Sequence, residues 1–405
     1  MRILIYSHDT YGLGNIRRMT AIAEALVEGN SQTNVLIVTG SPMLHAFRLS
    51  KGIDYVKLPC LNRTDVGQYD VKHLDVDVES VRRMRASIIA SAAVDFDPDL
   101  VLVDKKPLGV MRELEPMLEI LSRRPAPPHL TLVLRDILDA PAKTREVWAR
   151  NNYHDQIQRY YDDILVVGAR EAFNVVKEYA FPPASAAMVR YAGFIRRKPG
   201  STSVSDIRAR LGIKGDKIVL VQAGGGADGA ALIHAYGQAL QSWPGGAPFF
   251  SWIISGPEMP AAERKAIARL MAGTPRAFHQ EFADDMNACI NAADYVVSMG
   301  GYNSICEVLS LARPALIVPR VRPVEEQWLR ASRMAAQGMV ECLHPDEMTP
   351  ETLTASLHRM FNSGKLQIAS RASLPLDGLV YISAHAERLA PAPARFAAQN
   401  SRAFG

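Results

Sequence analysis

The chain has 405 residues, 48% hydrophobic and 22% charged, with 46 lysines and arginines against 42 acidic residues for a formal charge of +4. That length suits about two or three domains, and the composition excludes a wholly disordered, collagen-like or coiled-coil chain. The basic excess is mild and dispersed, which leaves no nucleic-acid footprint, and no apolar run reaches the ~18 residues of a membrane span. The opening MRILIYSHDT turns polar too early for a signal peptide and lacks a small-residue cleavage site, so a cytoplasmic protein is expected. Four cysteines, Cys60, Cys289, Cys306 and Cys342, lie far apart, and they read as reduced thiols rather than a zinc or disulfide framework.

In chain order, RILIYS (2–7), NVLIVT (34–39), LVLVD (100–104), LTLVLRD (130–136) and ILVVG (164–168) are short runs apolar on both faces. Such runs suit strands of a parallel sheet covered on both sides. Helix-length patterns separate them, for example IRRMTAIAEALVEG (16–29), which stops on a glycine. The pattern restarts after a Gly/Pro/Ser-rich stretch near 191–203, with KIVLVQAGGGADG (217–229), FFSWIIS (249–255), DYVVSMG (294–300) and ALIVP (315–319). Repeated strand–helix alternation predicts two doubly wound α/β domains with parallel sheets. The expected boundaries are 1–192, a linker at 193–202, 203–374, a helix at 375–392 that returns to the first domain, and a flexible tail at 393–405.

In open α/β sheets, ligands bind beyond the carboxyl ends of the strands. Four such ends stand out. SHDTYGLGNIRR (7–18) places Gly12 and Gly14 in a tight turn before a helix starting near Asn15, whose free N–H groups favour an anion. His8, Asp9 and the pair Arg17 and Arg18 crowd the same mouth, although a plain strand-to-helix turn also accounts for the glycines. QAGGGADGA (222–230) strips side chains at Gly224, Gly225 and Gly226, so that a phosphate could reach backbone N–H groups. It lacks the Lys-Ser/Thr of a P-loop. In SMGGYNSICE (298–307), Gly300 and Gly301 end a strand, and Asn303 or Ser304 can cap the next helix. Glu307, near that helix start, can accept two hydroxyl hydrogen bonds of a ribose. Finally, Glu325, Glu326 and Gln327 open a helix after a strand end, where they could bind sugar hydroxyls or simply be solvated. Asp104 and Asp136 close strands in the first half, whereas DVDVE (75–79) reads as a solvated helix lead-in.

Together, YSHDTYGLGNIRR, LVDKKPLG, LRDIL, MGGYNSICEVLS and the EEQ helix resemble glycosyltransferases of the GT-B fold, in the MurG-like family 28 branch. The nearest likeness is to a bacterial group of predicted glycosyltransferases, and it runs over roughly residues 1–390. Its most specific element is GG-x-x-S-x-x-E from Gly300 to Glu307, followed by Pro314, Pro319 and Gln327. The resemblance implies an N-terminal acceptor domain and a C-terminal donor domain facing across a cleft. It also implies a UDP-sugar donor, a hydroxyl acceptor that is lipid-linked, polysaccharide or small, and an inverting step with neither cofactor nor metal. Carried over, Glu307 would hold the ribose, while Gly300, Gly301, Asn303, Ser304 and Gly224–Gly226 would face the diphosphate. Glu326 and Gln327 would meet the transferred sugar, and the base would be held by backbone contacts at Phe282. Gly12, Gly14, Arg17, Asp104 and Asp136 would serve the acceptor.

One departure is visible. The family usually has a histidine, a candidate base, where this chain has Asn15, and asparagine takes up no proton at neutral pH. The catalytic set is therefore read as His8 or Asp9 acting as base, with Asn15 orienting the acceptor. A UDP-sugar 2-epimerase of the same fold and a non-catalytic nucleotide-sugar binding protein remain as alternatives. Arg82, Arg83 and Arg85 offer either a peripheral membrane contact or a solvated helix face.

Overall fold

A computed structural model describes residues 1–8, 14–42, 44, 48–65, 68–371 and 374–390, and of residues 63–65 and 371 it describes the backbone alone. The strands in chain order are β1 (Arg2–Ser7), β2 (Asn34–Thr39), β3 (Ile53–Lys57), β4 (Leu61–Asp65), β5 (Gln68–Val71), β6 (Leu100–Asp104), β7 (His129–Arg135), β8 (Asp163–Val167) and β9 (Val189–Tyr191). After these come β10 (Ile218–Gln222), β11 (Phe250–Ile254), β12 (Ala277–Gln280), β13 (Tyr295–Ser298), β14 (Ala315–Ile317) and β15 (Glu341–Cys342). They form a seven-stranded sheet in the order β3-β2-β1-β6-β7-β8-β9 and a six-stranded sheet in the order β12-β11-β10-β13-β14-β15. Every pairing in both is parallel, and among the described residues only the hairpin β4–β5 is antiparallel. Crossover helices cover the strands, so β6, β8 and β10 are buried at every residue. Among the described residues, no helix is long and apolar enough to cross a membrane.

The chain divides into two compact units. The first holds Met1–Asp136, Pro141–Gly193 and the described residues from Asp377 onward, and the second holds Ile137–Ala140 and Phe194–Leu376. Of the stretch 193–202 expected as a linker, Gly193 falls in the first unit, and residues from Phe194 onward are hydrogen-bonded into the second. Phe194 N donates to Pro375 O, Arg197 N to Ser310 Oγ, and Ser201 N to the Asp285 carboxylate at 2.6 Å.

The first unit is pinned by a buried polar cluster. Arg85, on the helix Val78–Phe96, forks onto Glu113 at 2.5 and 2.7 Å and also donates to Pro59 O. Tyr6 of β1 donates to Glu113 Oε1 at 2.6 Å and accepts from Val110 N. Burial pushes the Tyr6 phenol well above its usual pKa, and the neighbouring Glu113 carboxylate pushes the same way. This overturns the reading of Arg85 as part of a surface patch. Its guanidinium is fully enclosed because it neutralises Glu113, and only Arg82 and Arg83 remain near the surface, beside Glu79.

In the second unit two turns interlock. Gly226 has φ +97°, and a Cβ there would overlap the Ser255 carbonyl oxygen. Gly256 has φ +90°, and its Cβ would sit 2.5 Å from the Gly225 carbonyl carbon. Glu258 N donates to Gly225 O at 2.7 Å and closes the contact. The turn after β10 is thus seated in the turn after β11.

Glu113→Ala should destabilise the protein by about 3–5 kcal/mol, because it leaves Arg85 buried without its counter-charge; a denaturant midpoint unchanged from wild type would contradict the role given to the pair. Gly226→Ala should cost about 1–3 kcal/mol from its positive φ alone, and more than Gly224→Ala, because Gly224 has nothing within 4 Å of its Cβ position. Equal losses in thermal unfolding would show that the interlock contributes nothing.

Candidate functional site

In the second unit, the turns singled out from the sequence lie along one sheet edge. β10 sits between β11 and β13, with β14 beyond β13, so their carboxyl ends present Gly224–Gly226, Gly256, Gly300–Gly301 and Pro319–Arg320 side by side. Neighbouring turns touch: Gly256 N donates to Glu281 O after β12, and the Cβ position of Gly229 is 3.4 Å from Met299 Sδ after β13.

The glycines serve packing more than was expected. A Cβ on Gly225 would meet the Glu258 carboxylate at 2.6 Å, and one on Gly300 (φ +77°) would meet Ile317 Cγ2 at 2.6 Å. Of Gly224–Gly226, only Gly224 (φ +62°) opens onto free space. Gly301 is itself the N-cap of the helix Tyr302–Ser310 and makes no side-chain cap, which corrects the expectation for Asn303 and Ser304. Asn303 is instead drawn away by Arg197, which donates to its Oδ1 at 2.8 Å, while Ser304 is half-buried in the first turn.

Glu307 is fully enclosed. Seven of the nine residues of its helix are buried, so the helix is sunk into the unit and carries the carboxylate inward with it. Ribose hydroxyls would reach Glu307 only by displacing what covers it.

Glu326 and Gln327 open the helix Glu326–Ala336 but are already engaged. Glu326 is buried beside Arg330 at 3.3 Å and lies 3.9 Å from Arg320. Gln327 accepts from Arg320 N at 3.0 Å, and its Nε2 lies 3.9 Å from the Cβ position of Gly301. Arg320 also pairs with Asp228 at 2.9 Å, and Arg330 donates to Gly300 O at 3.1 Å. Two arginines therefore stitch the turns after β10, β13 and β14 together. The sequence reading missed both, although Glu326 and Arg330, four apart on a helix, carried a legible signal. Phe282 is 54% exposed, and with Phe250, Trp252 and Phe278 it lines a groove of about 430 Å³ at the β12 edge.

In the first unit, His8 follows β1 and is buried, while Asp9 and Gly12 lie outside the described residues. Gly14 begins the helix Gly14–Gly29. Asn15 uses both ends of its amide: Nδ2 donates to His8 O at 2.5 Å, and Oδ1 accepts from Arg18 at 3.2 Å. Arg18, buried, forms an ion pair with the fully buried Asp104 at the end of β6. Of the arginine pair it is thus Arg18, not Arg17, that faces Asp104, three residues along the helix from Asn15. Among the described residues, Asp104 Oδ2 has no hydrogen-bond partner. Asp136 is buried just after β7, against Gly168.

The family model described as "Glycosyltransferase family 28 C-terminal domain" matches residues 219–377. Among curated relatives, the UDP-N-acetylglucosamine--N-acetylmuramyl-(pentapeptide) pyrophosphoryl-undecaprenol N-acetylglucosamine transferase of Rubrobacter xylanophilus is 29% identical over 180 residues, 44% of this chain and 50% of that one. The enzyme of the same name from Shouchella clausii is 32% identical over 108 residues, 26% of this chain and 30% of that one. The chain thus spans half or less of the length of these relatives. Among solved structures, MurG from Acinetobacter baumannii is similar at TM-score 0.63 and 14% identity, covering 96% of this chain and 99% of that one. The calicheamicin glycosyltransferase CalG4 is similar at TM-score 0.62 and 14% identity, covering 96% and 98%. At those identities the likeness shows the fold. Two parallel α/β units and these neighbours show the GT-B fold, and residues 219–377 of the chain match the glycosyltransferase family 28 C-terminal domain.

Proposed function

We propose that the protein is a glycosyltransferase that moves a sugar from a UDP-sugar to a hydroxyl acceptor with inversion. The observation that carries this reading is the alignment, on adjacent strands of a family 28 domain, of the β10 glycine turn, the start of the helix Tyr302–Ser310, and the Arg320–Glu326–Arg330 network. Helix N-termini and guanidinium groups stabilise the charge that grows on a leaving diphosphate. These cations lie within the chain itself, so the proposed step uses no metal.

In this reading the second unit binds the donor. Gly224, Gly300, Gly301 and Ser304 face the diphosphate, Glu307 takes the ribose once what covers it is displaced, backbone at Phe282 takes the base, and Gln327 meets the sugar. Glu326 acts through Arg320 and Arg330 rather than by touching the sugar. In the first unit His8, steadied through its carbonyl by Asn15, removes the acceptor proton. The acceptor oxygen attacks the anomeric carbon, the bond from that carbon to the diphosphate oxygen breaks, and UDP leaves. Because the relatives' names carry a pyrophosphoryl-undecaprenol acceptor, a lipid-linked acceptor is the first to try.

A thermal-shift screen against UDP-, dTDP- and GDP-sugars should show stabilisation by UDP-sugars, since a ligand of the native state raises its apparent stability. Stabilisation by none of them would end the reading. Glu307→Gln should weaken UDP binding by about 2 kcal/mol, the order of a lost charge-assisted hydrogen bond; unchanged affinity by calorimetry would remove Glu307 from the ribose site. His8→Ala should lower turnover ~10²-fold or more with UDP binding intact, whereas near-normal turnover would move the base elsewhere.

A further inference from the structure

At the opposite edge of the first unit's sheet, two imidazoles and a carboxylate converge. His129 begins β7, Asp163 begins the neighbouring β8, and His385 projects from the helix Gly378–Leu389, which lies along the helix Gly14–Gly29 with Ser383 Oγ donating to Ala25 O. The candidate residues of this unit, His8, Asp104 and Asp136, sit at the carboxyl ends of the sheet's strands, roughly 20 Å away by strand rise, so the cluster is separate from them.

We propose that His129, Asp163 and His385 form a binding site for a divalent transition-metal ion of the zinc class. One potential ligand atom from each residue lies within 4.8 Å of the others. Asp163 Oδ2 is 2.7 Å from His385 Nε2 and 3.5 Å from His129 Nε2. Tetrahedral zinc with bonds near 2.0–2.1 Å sets its ligands about 3.3 Å apart, a spacing these distances bracket.

Direction supports the same conclusion. Among the described residues, His385 Nε2 is not aligned for a hydrogen bond despite lying 2.7 Å from the carboxylate, and His129 Nε2, at 3.5 Å, has no hydrogen-bond partner either. Imidazoles that serve a shared ion point at the ion, and the neighbouring ligand falls off their axis. The rings are 6.1 Å apart and 75° from coplanar, so the two nitrogens approach from different sides.

His129 Nδ1, the far ring nitrogen, lies 3.7 Å from Asp162 Oδ2, a nearby counter-charge rather than a hydrogen-bond partner. Tyr381 stacks on the His385 ring. Two imidazoles, one carboxylate and a water make a donor set suited to zinc. Its effect would be to fasten the helix Gly378–Leu389 to the sheet.

The test uses the full chain, stripped with a chelator and titrated with Zn²⁺ and separately with Co²⁺. One equivalent of Zn²⁺ should bind and raise the melting temperature, and Co²⁺ should give the visible bands of a four-coordinate site. His385→Gln and His129→Asn should each weaken binding at least about tenfold and abolish the cobalt bands, with circular dichroism confirming that each variant is folded. Cys60→Ser with Cys342→Ser should leave the bands unchanged. Absence of a bound equivalent, bands that survive either histidine substitution, or bands lost with the cysteines would each overturn the proposal.

Discussion

Strands buried on both faces constrain everything else in this chain. A parallel sheet walled in by helices leaves little room for charged groups along its strands, so most gather at the ends. Those that cannot reach water must be neutralised inside, because an unpaired buried charge costs several kcal/mol. Arg18 with Asp104, Arg85 with Glu113, and Arg330 with Glu326 are three solutions to that one problem.

The same constraint decides what the sequence discloses. Runs such as LVLVD and IVLVQ are apolar at every position but the last and read at once as central strands. The edge strands β3 (IDYVK), β9 (VRY) and β15 (EC) are short and mixed, and so is the hairpin strand β5 (QYDV). Their pairing is settled by tertiary context, not by a local pattern. Glycine turns were legible as turns, but their reason was not. Gly225 and Gly226 are small because the backbone and carboxylate of the next turn press on them, a fact that only spatial neighbours reveal.

Long-range charge pairs were the least visible. Arg18 and Asp104 are 86 positions apart, and nothing in either neighbourhood names the other. Their pairing nevertheless explains Asn15, whose oxygen accepts from Arg18 while its amide satisfies the carbonyl of His8. A neutral imidazole has one donor and one acceptor in a fixed ring, whereas the compact amide serves both neighbours within a single helical turn. The unusual asparagine thus suits an already assembled buried network.

The meshing of the β10 and β11 turns has a further consequence for how such a chain could diversify. Two backbones in van der Waals contact through glycines cannot drift separately, since a methyl gained on one side needs room surrendered on the other. Around β14, by contrast, Arg320 and Gln327 are only partly buried and meet their neighbours through flexible side chains. Selectivity among ligands would therefore be remodelled at that rim, while the glycine pair is inherited as a block.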